Sequence, residues 1–239
     1  MLDDNCRSGV AFAGSADLRV ETYAWAFETE NSDAIDRNWR AALAANPSFF
    51  NGDVYLTSRA SIENGVVTAR LFKTNFKTVL YWRELGYPET GVIDGFGSAL
   101  IHSADGAYIF CRQRPGQINS GMTYLPGGFI DGNDVLADGR IDISGSILRE
   151  LEEETGLGPA DGAPAPGFIL TRAEYQLSYA LTFNARATAA DLIRQIKTRL
   201  DADPKSELQD VIEVRSLGDL AGAAMPPYAR MLAARMLPP

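Results

Sequence analysis

Apolar residues recur along the chain at two spacings, which predict helices and strands respectively. Helical spacing occurs at 32–45, 78–86, 188–200 and 227–237, and in the stretch that ends at Gly156. Alternation of apolar and polar residues, or a short apolar run, occurs at 18–27, 54–62, 66–72, 97–103, 107–112 and 174–184. Residues 1–16 follow neither pattern, and we expect them to be loosely structured.

Two short segments between these elements predict how the chain is divided. Asn64-Gly65 separates two predicted strands and is a strong signal for a tight hairpin turn. The segment 87–91 contains a proline and a glycine and is the best candidate for a boundary. We therefore predict a small N-terminal α+β extension at 1–90 and a second domain at 91–239.

The stretch 125–157 combines a tight glycine turn with an acidic helix. Glu150, Glu153 and Glu154 are spaced i, i+3 and i+4, so a helix places them on one face. Three like charges within one turn repel each other, and stability alone would not select them. A solvated acidic face is one interpretation, and a site for a hard divalent cation with oxygen ligands is the other.

The order of residues in this stretch resembles the Nudix box. Leu125-Pro126-Gly127-Gly128 is typical of its start, and 149–157 match Arg-Glu-aliphatic-x-Glu-Glu-x-Gly-aliphatic at every specified position. The resemblance implies an α/β fold, an α/β/α sandwich around a mixed sheet with the box on one face. It also implies an enzyme that hydrolyses a nucleoside diphosphate linked to another moiety, with Mg²⁺ as cofactor and Mn²⁺ as an alternative.

The resemblance also implies roles for individual residues. Glu150, Glu153 and Glu154 are expected to bind the metal, with the Gly127 carbonyl oxygen as a further ligand. Arg149 is expected to orient one of these carboxylates rather than to touch the substrate. On this basis Glu153, Glu154 and Arg149 count among the predicted catalytic residues.

The match to the box is interrupted in one place. The first Glu of the box is missing, and counting from Gly128 leaves seven extra residues within 131–142. Asp142 is the nearest substitute when the positions are counted back from Arg149. Asp134 is the substitute if the gap lies later in the sequence.

The general base is expected to be a carboxylate or a lysine. His102 is the single histidine, and it precedes a turn, where a strand-end role is expected. The segment 206–214 resembles the late strand of Nudix folds, in which a Glu often joins the metal site, and Glu207 is its counterpart. The base is therefore either Glu207 or an aspartate of the insertion, such as Asp142.

Substrate contacts are predicted in two regions. Arg112 and Arg114 could clamp phosphate oxygens, which guanidinium groups bind bidentately, or they are ordinary surface arginines. Trp39, Asn46-Pro47 and Phe50-Asn51-Gly52 are similar to the N-terminal part of Nudix enzymes that act on UDP-hexoses. That similarity implies a nucleotide sugar cleaved to a nucleoside monophosphate and a sugar 1-phosphate. A layer of packed aromatic residues is the alternative.

Two other functions are compatible with these motifs. The missing first Glu is expected of a Nudix-fold module that binds or regulates through a nucleotide and has lost catalysis. The intact Glu150, Glu153 and Glu154 favour catalysis instead, because a module that only binds has no need of three crowded carboxylates. An enzyme of the same fold that acts on another diphosphate is the second alternative.

The composition of the 239 residues is ordinary for a globular protein, and the small-molecule substrate is what the resemblance implies. A net charge of −9 argues against binding nucleic acid by charge alone. Cys6 and Cys111 are the two cysteines, so a disulfide framework is not expected. We recognise neither a signal peptide nor a membrane-spanning run, and expect a cytoplasmic protein without a membrane partner. The oligomeric state is not predicted.

Overall fold

The computed structural model of the chain describes residues 8–239, which form two β-sheets with helices packed on both. The strands are β1 (Ser8–Ala13), β2 (Ser15–Val20), β3 (Asp53–Glu63), β4 (Val66–Asn75), β5 (Asp94–His102), β6 (Tyr108–Gln113), β7 (Thr123–Tyr124), β8 (Gly162–Pro164), β9 (Phe168–Ala173), β10 (Gln176–Ala185) and β11 (Leu208–Val214). The helices are α1 (Ala26–Glu30), α2 (Ser32–Ala45), α3 (Phe76–Glu84), α4 (Ile143–Thr155), α5 (Ala189–Ala202) and α6 (Pro227–Met236). None of these helices has the length and apolar composition that crossing a membrane requires.

Within residues 8–239 the larger sheet has eight strands in the order β1-β9-β10-β5-β6-β11, with β7 paired to β6 and β8 to β10. β10 and β5 pair in parallel and the neighbouring pairs are antiparallel, so the sheet is mixed. Along β5, Ala99 and Ile101 join the core beneath α4 and α5, whereas Leu100 joins the core beneath α6. The result is an α/β/α sandwich around a mixed sheet, which confirms the predicted fold class.

Two glycines of β5 allow other elements to approach this strand closely. A Cβ atom at Gly97 would lie 2.6 Å from Cγ1 of Ile147 in α4, which is too short for a van der Waals contact. A Cβ atom at Gly95 would lie 2.5 Å from Oγ1 of Thr57 in β3. Gly97 therefore allows α4 to approach one face of β5. Gly95 allows β3 of the N-terminal sheet to approach the first residues of β5.

The smaller sheet, in the order β2-β4-β3, forms the predicted N-terminal extension together with α1, α2 and α3. Its β3–β4 hairpin turns at Asn64 and Gly65, which both have positive φ angles, as the sequence predicted. On one face Trp25, Phe72 and Trp82 form an aromatic core. The other face of this sheet joins the main core, so the extension is packed against the sandwich. The boundary near residue 90 stays a prediction.

The structure differs from the sequence prediction at the beginning of the chain. The strand predicted at 18–27 corresponds to β2, which is shorter and begins and ends earlier. Trp25, just before α1, and Phe27, within α1, join the aromatic core instead. Part of the segment predicted to be loose forms β1, which pairs with β9 at the edge of the larger sheet. Small residues in β1 weaken its alternation pattern, and the sequence gives little sign of it. Residues 1–7 and Cys6 lie outside the described part.

Candidate active site

Helix α4 carries the predicted metal-binding glutamates, and its two ends are set by the sequence. The carboxylate of Asp142 caps the first turn by accepting a hydrogen bond from the backbone N–H of Gly145 at 2.9 Å. Gly156 ends the helix with a φ of 76°, as predicted. The buried face consists of Ile143, Ser146, Ile147, Leu151 and Thr155 and lies against the sheet. The helix is thereby fixed in rotation, which turns Glu150 and Glu154 towards the glycine turn.

The turn Gly127-Gly128 lies between β5 and the glutamates of α4. A Cβ atom at Gly127 would lie 2.2 Å from the carbonyl oxygen of Gly97, so no other residue fits there without moving the backbone. A Cβ atom at Gly128 would lie 2.7 Å from the carboxyl carbon of Glu150. The backbone N–H of Gly127 donates a hydrogen bond to Oε2 of Glu154 at 3.0 Å. Both glutamates therefore reach the same turn.

The carboxyl groups at this turn hold their protons more tightly than exposed carboxyls do. Burial raises the pKa of Glu150 to about 7, with the neighbouring Glu153 as a further cause and Arg149 opposing it. Burial also raises the pKa of Glu154 well above its usual value, and the charges of Glu150 and Glu207 raise it further. The pKa of Glu207 is raised by burial and by Glu153. The ionised state of this group is therefore costly without a compensating cation.

The donor set fits a hard divalent cation. Glu150 and Glu154 supply carboxylate oxygens beside one turn, and a cation would offset the burial and the neighbouring negative charges that raise their pKa values. Among residues 8–239 no three acidic, histidine or cysteine side chains already stand in a metal-binding arrangement. Glu153 is 61% exposed and lies 3.6 Å from Arg149, and Gly127 contacts Glu154 through its N–H. Metal binding by Glu150, Glu153, Glu154 and Gly127 stays a prediction.

Arg149 contacts an aspartate of the insertion as well as a glutamate of the helix. Its Nη2 donates to Oδ1 of Asp134 at 3.0 Å, and its Nη1 donates to Oε1 of Glu150 at 2.9 Å. Asp134 is buried and also accepts a hydrogen bond from Oγ of Ser146 at 2.9 Å. The two candidates for the missing first Glu therefore differ in position, because Asp134 contacts Arg149 whereas Asp142 caps the helix.

Replacing Asp134 by Asn should destabilise the protein by about 1–3 kcal/mol, because a buried charge-assisted hydrogen bond to Arg149 is weakened. Asp142→Asn is the matched control, since asparagine is also a good N-cap and can still accept from Gly145. Thermal or urea unfolding of both variants measures the difference. Equal unfolding free energies for the two variants would show that the Asp134–Arg149 contact is unimportant for the fold.

Arg114 positions the backbone around Glu207. Its Nε donates to the carbonyl oxygen of Ser206 at 2.8 Å and its Nη2 to that of Leu208 at 3.2 Å. Arg112 lies in β6 opposite Asp210 of β11. Neither arginine lines the cavity described next, and their binding of phosphate stays a prediction.

A cavity of about 120 Å³ opens beside the glycine turn, and Glu207 lies at its edge. The cavity is also lined by four polar residues, Arg83, Asp94, Gln113 and Gln176. None of these four residues belongs to a motif recognised in the sequence. They come from α3, β5, β6 and β10, and Asp94 lies just before the strand predicted at 97–103.

Asp94 is the most unusual of these polar residues. It is only 4% exposed, and its Oδ1 has no hydrogen-bond partner in the described part of the chain. Burial raises the pKa of its carboxyl to about 7, although the positive charge of Arg83 lowers it in part. The cavity thus contains an acidic group that is partly protonated near neutral pH.

Stability should fall with rising pH because of Asp94. Between its ordinary pKa of 3.8 and about 7, the folded protein retains the proton while the unfolded chain releases it. Relative to wild type, Asp94→Asn should therefore gain stability as pH rises through this window, by at most about 1.4 kcal/mol per pH unit. Unfolding measured from pH 4.5 to pH 8 tests this expectation.

Asp138→Asn is the control for that titration. A hydrogen bond from Arg140 lowers the pKa of the exposed Asp138 carboxyl, so its ionisation is nearly complete across most of the same window. The stability difference between this variant and wild type should stay nearly constant above pH 5. A constant difference for Asp94→Asn as well would mean that Asp94 is ionised throughout.

The aromatic residues predicted from the N-terminal similarity do not line the cavity. The ring of Trp39 contacts Phe76 at a centroid distance of 6.1 Å, and Phe50 is 81% exposed. Phe49, which was not in the predicted series, contacts Phe76 at 5.5 Å. Phe76 in turn contacts Phe129, which does line the cavity, at 6.1 Å. The N-terminal region reaches the cavity wall directly through Arg83.

Among known proteins, this chain is similar to several whose structures have been solved. No family model matches the chain, and no curated protein matches it. The MutT protein from Methanosarcina mazei Go1 is 21% identical, with 60% of this chain and 92% of that chain covered and a TM-score of 0.41. The Nudix hydrolase RenU from M. smegmatis is 14% identical, with 59% and 81% covered and a TM-score of 0.39.

Shewanella oneidensis NrtR, solved in complex with a 27mer DNA, is 14% identical, with 59% of each chain covered and a TM-score of 0.36. Similarity at these identities and TM-scores assigns neither an activity nor a substrate to this chain. The expectation that the chain does not bind nucleic acid stays a prediction. What the comparison establishes is structural similarity to Nudix hydrolases over about 60% of this chain, at low sequence identity.

Proposed function

We propose that this chain is an Mg²⁺-dependent hydrolase that cleaves the diphosphate of a nucleoside diphosphate linked to another moiety. The observation that carries the proposal is the pair of carboxyl groups, Glu150 and Glu154, held against the Gly127-Gly128 turn. Their raised pKa values mean that ionising these two carboxyl groups in the folded chain costs free energy unless a cation is bound. The order of residues in 149–157 supports the same assignment.

In this proposal Glu150, Glu153, Glu154 and the Gly127 carbonyl hold the cation. A bound Mg²⁺ would neutralise charge on the phosphoryl oxygens and lower the pKa of a water molecule. Arg149 bridges Asp134 and Glu150 and thereby orients the Glu150 carboxylate, as its two hydrogen bonds indicate.

Glu207 is our candidate for the general base. It lies at the edge of the cavity, and Arg114 fixes the backbone on both sides of it. The pKa of its carboxyl is raised towards neutral pH, and a general base is more effective when its pKa lies near the working pH. In the proposed step, an oxygen of water forms a bond to phosphorus, and the bond from phosphorus to the bridging oxygen breaks. Glu207 takes the proton of the water.

We propose a nucleotide sugar as the substrate, giving a nucleoside monophosphate and a sugar 1-phosphate. The support is the similarity of the N-terminal region to enzymes of UDP-hexoses, together with the packing of that region against the cavity wall through Arg83. Mg²⁺-dependent release of UMP from UDP-glucose tests this substrate. Dinucleoside polyphosphates and nucleoside triphosphates, assayed in parallel, test the alternative diphosphates. Failure to hydrolyse any of them would contradict the proposed activity.

Glu154→Gln should separate the metal site from an ordinary acidic face. Without metal, the variant should unfold at the same temperature as wild type or higher, because a buried carboxyl that is costly to ionise is replaced by a neutral amide whose oxygen can still accept from Gly127. Mg²⁺ should stabilise the wild type through binding to the folded state, and the variant much less. Turnover should fall by about two orders of magnitude or more, since a catalytic metal supplies several kcal/mol.

Glu152→Gln is the matched control, because Glu152 lies on the exposed side of the same helix. Its thermal unfolding with Mg²⁺ or EDTA and its turnover should equal those of wild type. If Mg²⁺ stabilised wild type and Glu154→Gln equally, the acidic residues would be a solvated helix face and the proposal would fail.

A further inference from the structure

The polar residues that line the cavity away from the glutamates of α4 have no part in the hydrolytic step. Asp94, the first residue of β5, is one of them and is 96% buried, being 4% exposed. Its Oδ1 has no hydrogen-bond partner among residues 8–239. A buried carboxyl oxygen without a donor is uncommon in folded proteins because it costs free energy. A ligand that brings a donor to this oxygen would remove that cost.

The neighbouring arginine does not supply the missing donor. Nη2 of Arg83 donates to the carbonyl oxygen of Ile118 at 2.8 Å and to Oδ1 of Asn119 at 2.7 Å. Its Nη1 donates to the hydroxyl of Tyr87 at 3.2 Å. Arg83 therefore holds the loop after β6 at the rim of the cavity, while the Asp94 oxygen stays available.

The rest of the cavity is suited to a flat ring. Phe96 and Phe129 line it, and the ring of Phe96 is packed edge-on against Tyr228 at a centroid distance of 4.8 Å. The planar amides of Gln113 and Gln176 also line the cavity, and Gln176 pairs with Asp94 between β10 and β5. Apolar walls with a few polar groups in one place favour a planar heterocycle with an N–H edge. A sugar, which carries hydroxyl groups on all sides, would leave several of them without partners here.

We propose that this cavity binds the nucleobase of the substrate, and that Asp94 accepts a hydrogen bond from an N–H group of the base and thereby sets base preference. The inference rests on the proposed function, since it assigns one part of the same substrate. It places the base at the wall formed by β5 and α3, and the diphosphate at the glycine turn.

Binding of nucleoside monophosphates tests the inference without hydrolysis. Calorimetric titration of the full chain with UMP, CMP, AMP and GMP should show a preferred base. Asp94→Asn should weaken binding of that nucleotide about tenfold and change the order of preference, because the amide lacks the charge that strengthens the hydrogen bond and presents a donor as well as an acceptor to the base. Glucose 1-phosphate and ribose 5-phosphate should bind equally to both proteins. Failure of every nucleoside monophosphate to bind the wild type would overturn the inference.

A second arm needs no variant and covers the case in which Asp94→Asn fails to fold. The preferred monophosphate is compared with its analogue methylated on the base nitrogen that carries the proton, for example N3-methyl-UMP for UMP. The methyl group removes the donor, and binding to wild type should weaken at least tenfold. Equal binding of the two ligands would overturn the inference.

Steady-state kinetics separate this inference from the proposed activity. In Asp94→Asn, kcat/KM should shift among UDP-, ADP- and GDP-glucose, mainly through KM, while the ratio of UDP-glucose to UDP-galactose stays unchanged. A change in sugar preference with an unchanged base preference would overturn the inference but leave the hydrolase intact. Base-dependent binding without turnover of any substrate would support the cavity assignment and contradict the activity.

Discussion

The close contact of the Gly127-Gly128 turn with β5 and α4 is the constraint on which the candidate site depends. On one side the obstacle to any side chain is the backbone of Gly97, which cannot move without disturbing the sheet. On the other side it is the carboxyl group of Glu150. Because α4 is itself held close to β5 by the absence of a side chain at Gly97, the turn, the strand and the helix form one unit.

This contact has an electrostatic consequence. It brings Glu150 and Glu154 together in a partly buried place, where burial raises the pKa of both and the charge of Glu150 raises that of Glu154 further. Arg149 lowers the pKa of Glu150 only in part, because its guanidinium also forms a hydrogen bond with Asp134. A chain selected for stability alone would replace such carboxyls by apolar or neutral groups. Their presence supports the proposed cation site.

Local patterns predicted the elements better than they predicted the site. The helix at 32–45, the Asn64-Gly65 turn and the end of α4 at Gly156 depend on neighbouring residues, and the structure has them where the sequence indicated. The partner of Arg149 could not be chosen in advance, because spacing in an interrupted motif does not say where the extra residues bulge out. Asp94 and Arg83 meet only through the packing of two sheets, which no short pattern encodes.

The packing of the N-terminal region changes how its role can be tested. Arg83 fixes the loop at the cavity rim, and Phe76 supports Phe129 in the cavity wall, so the region contributes to the cavity. Removing residues 1–90 would also remove β1, an edge strand of the larger sheet, and the sheet that completes the main core. Loss of activity after such a deletion would therefore not distinguish a binding role from a structural one. Point changes at the cavity wall make that distinction, because they leave both sheets in place.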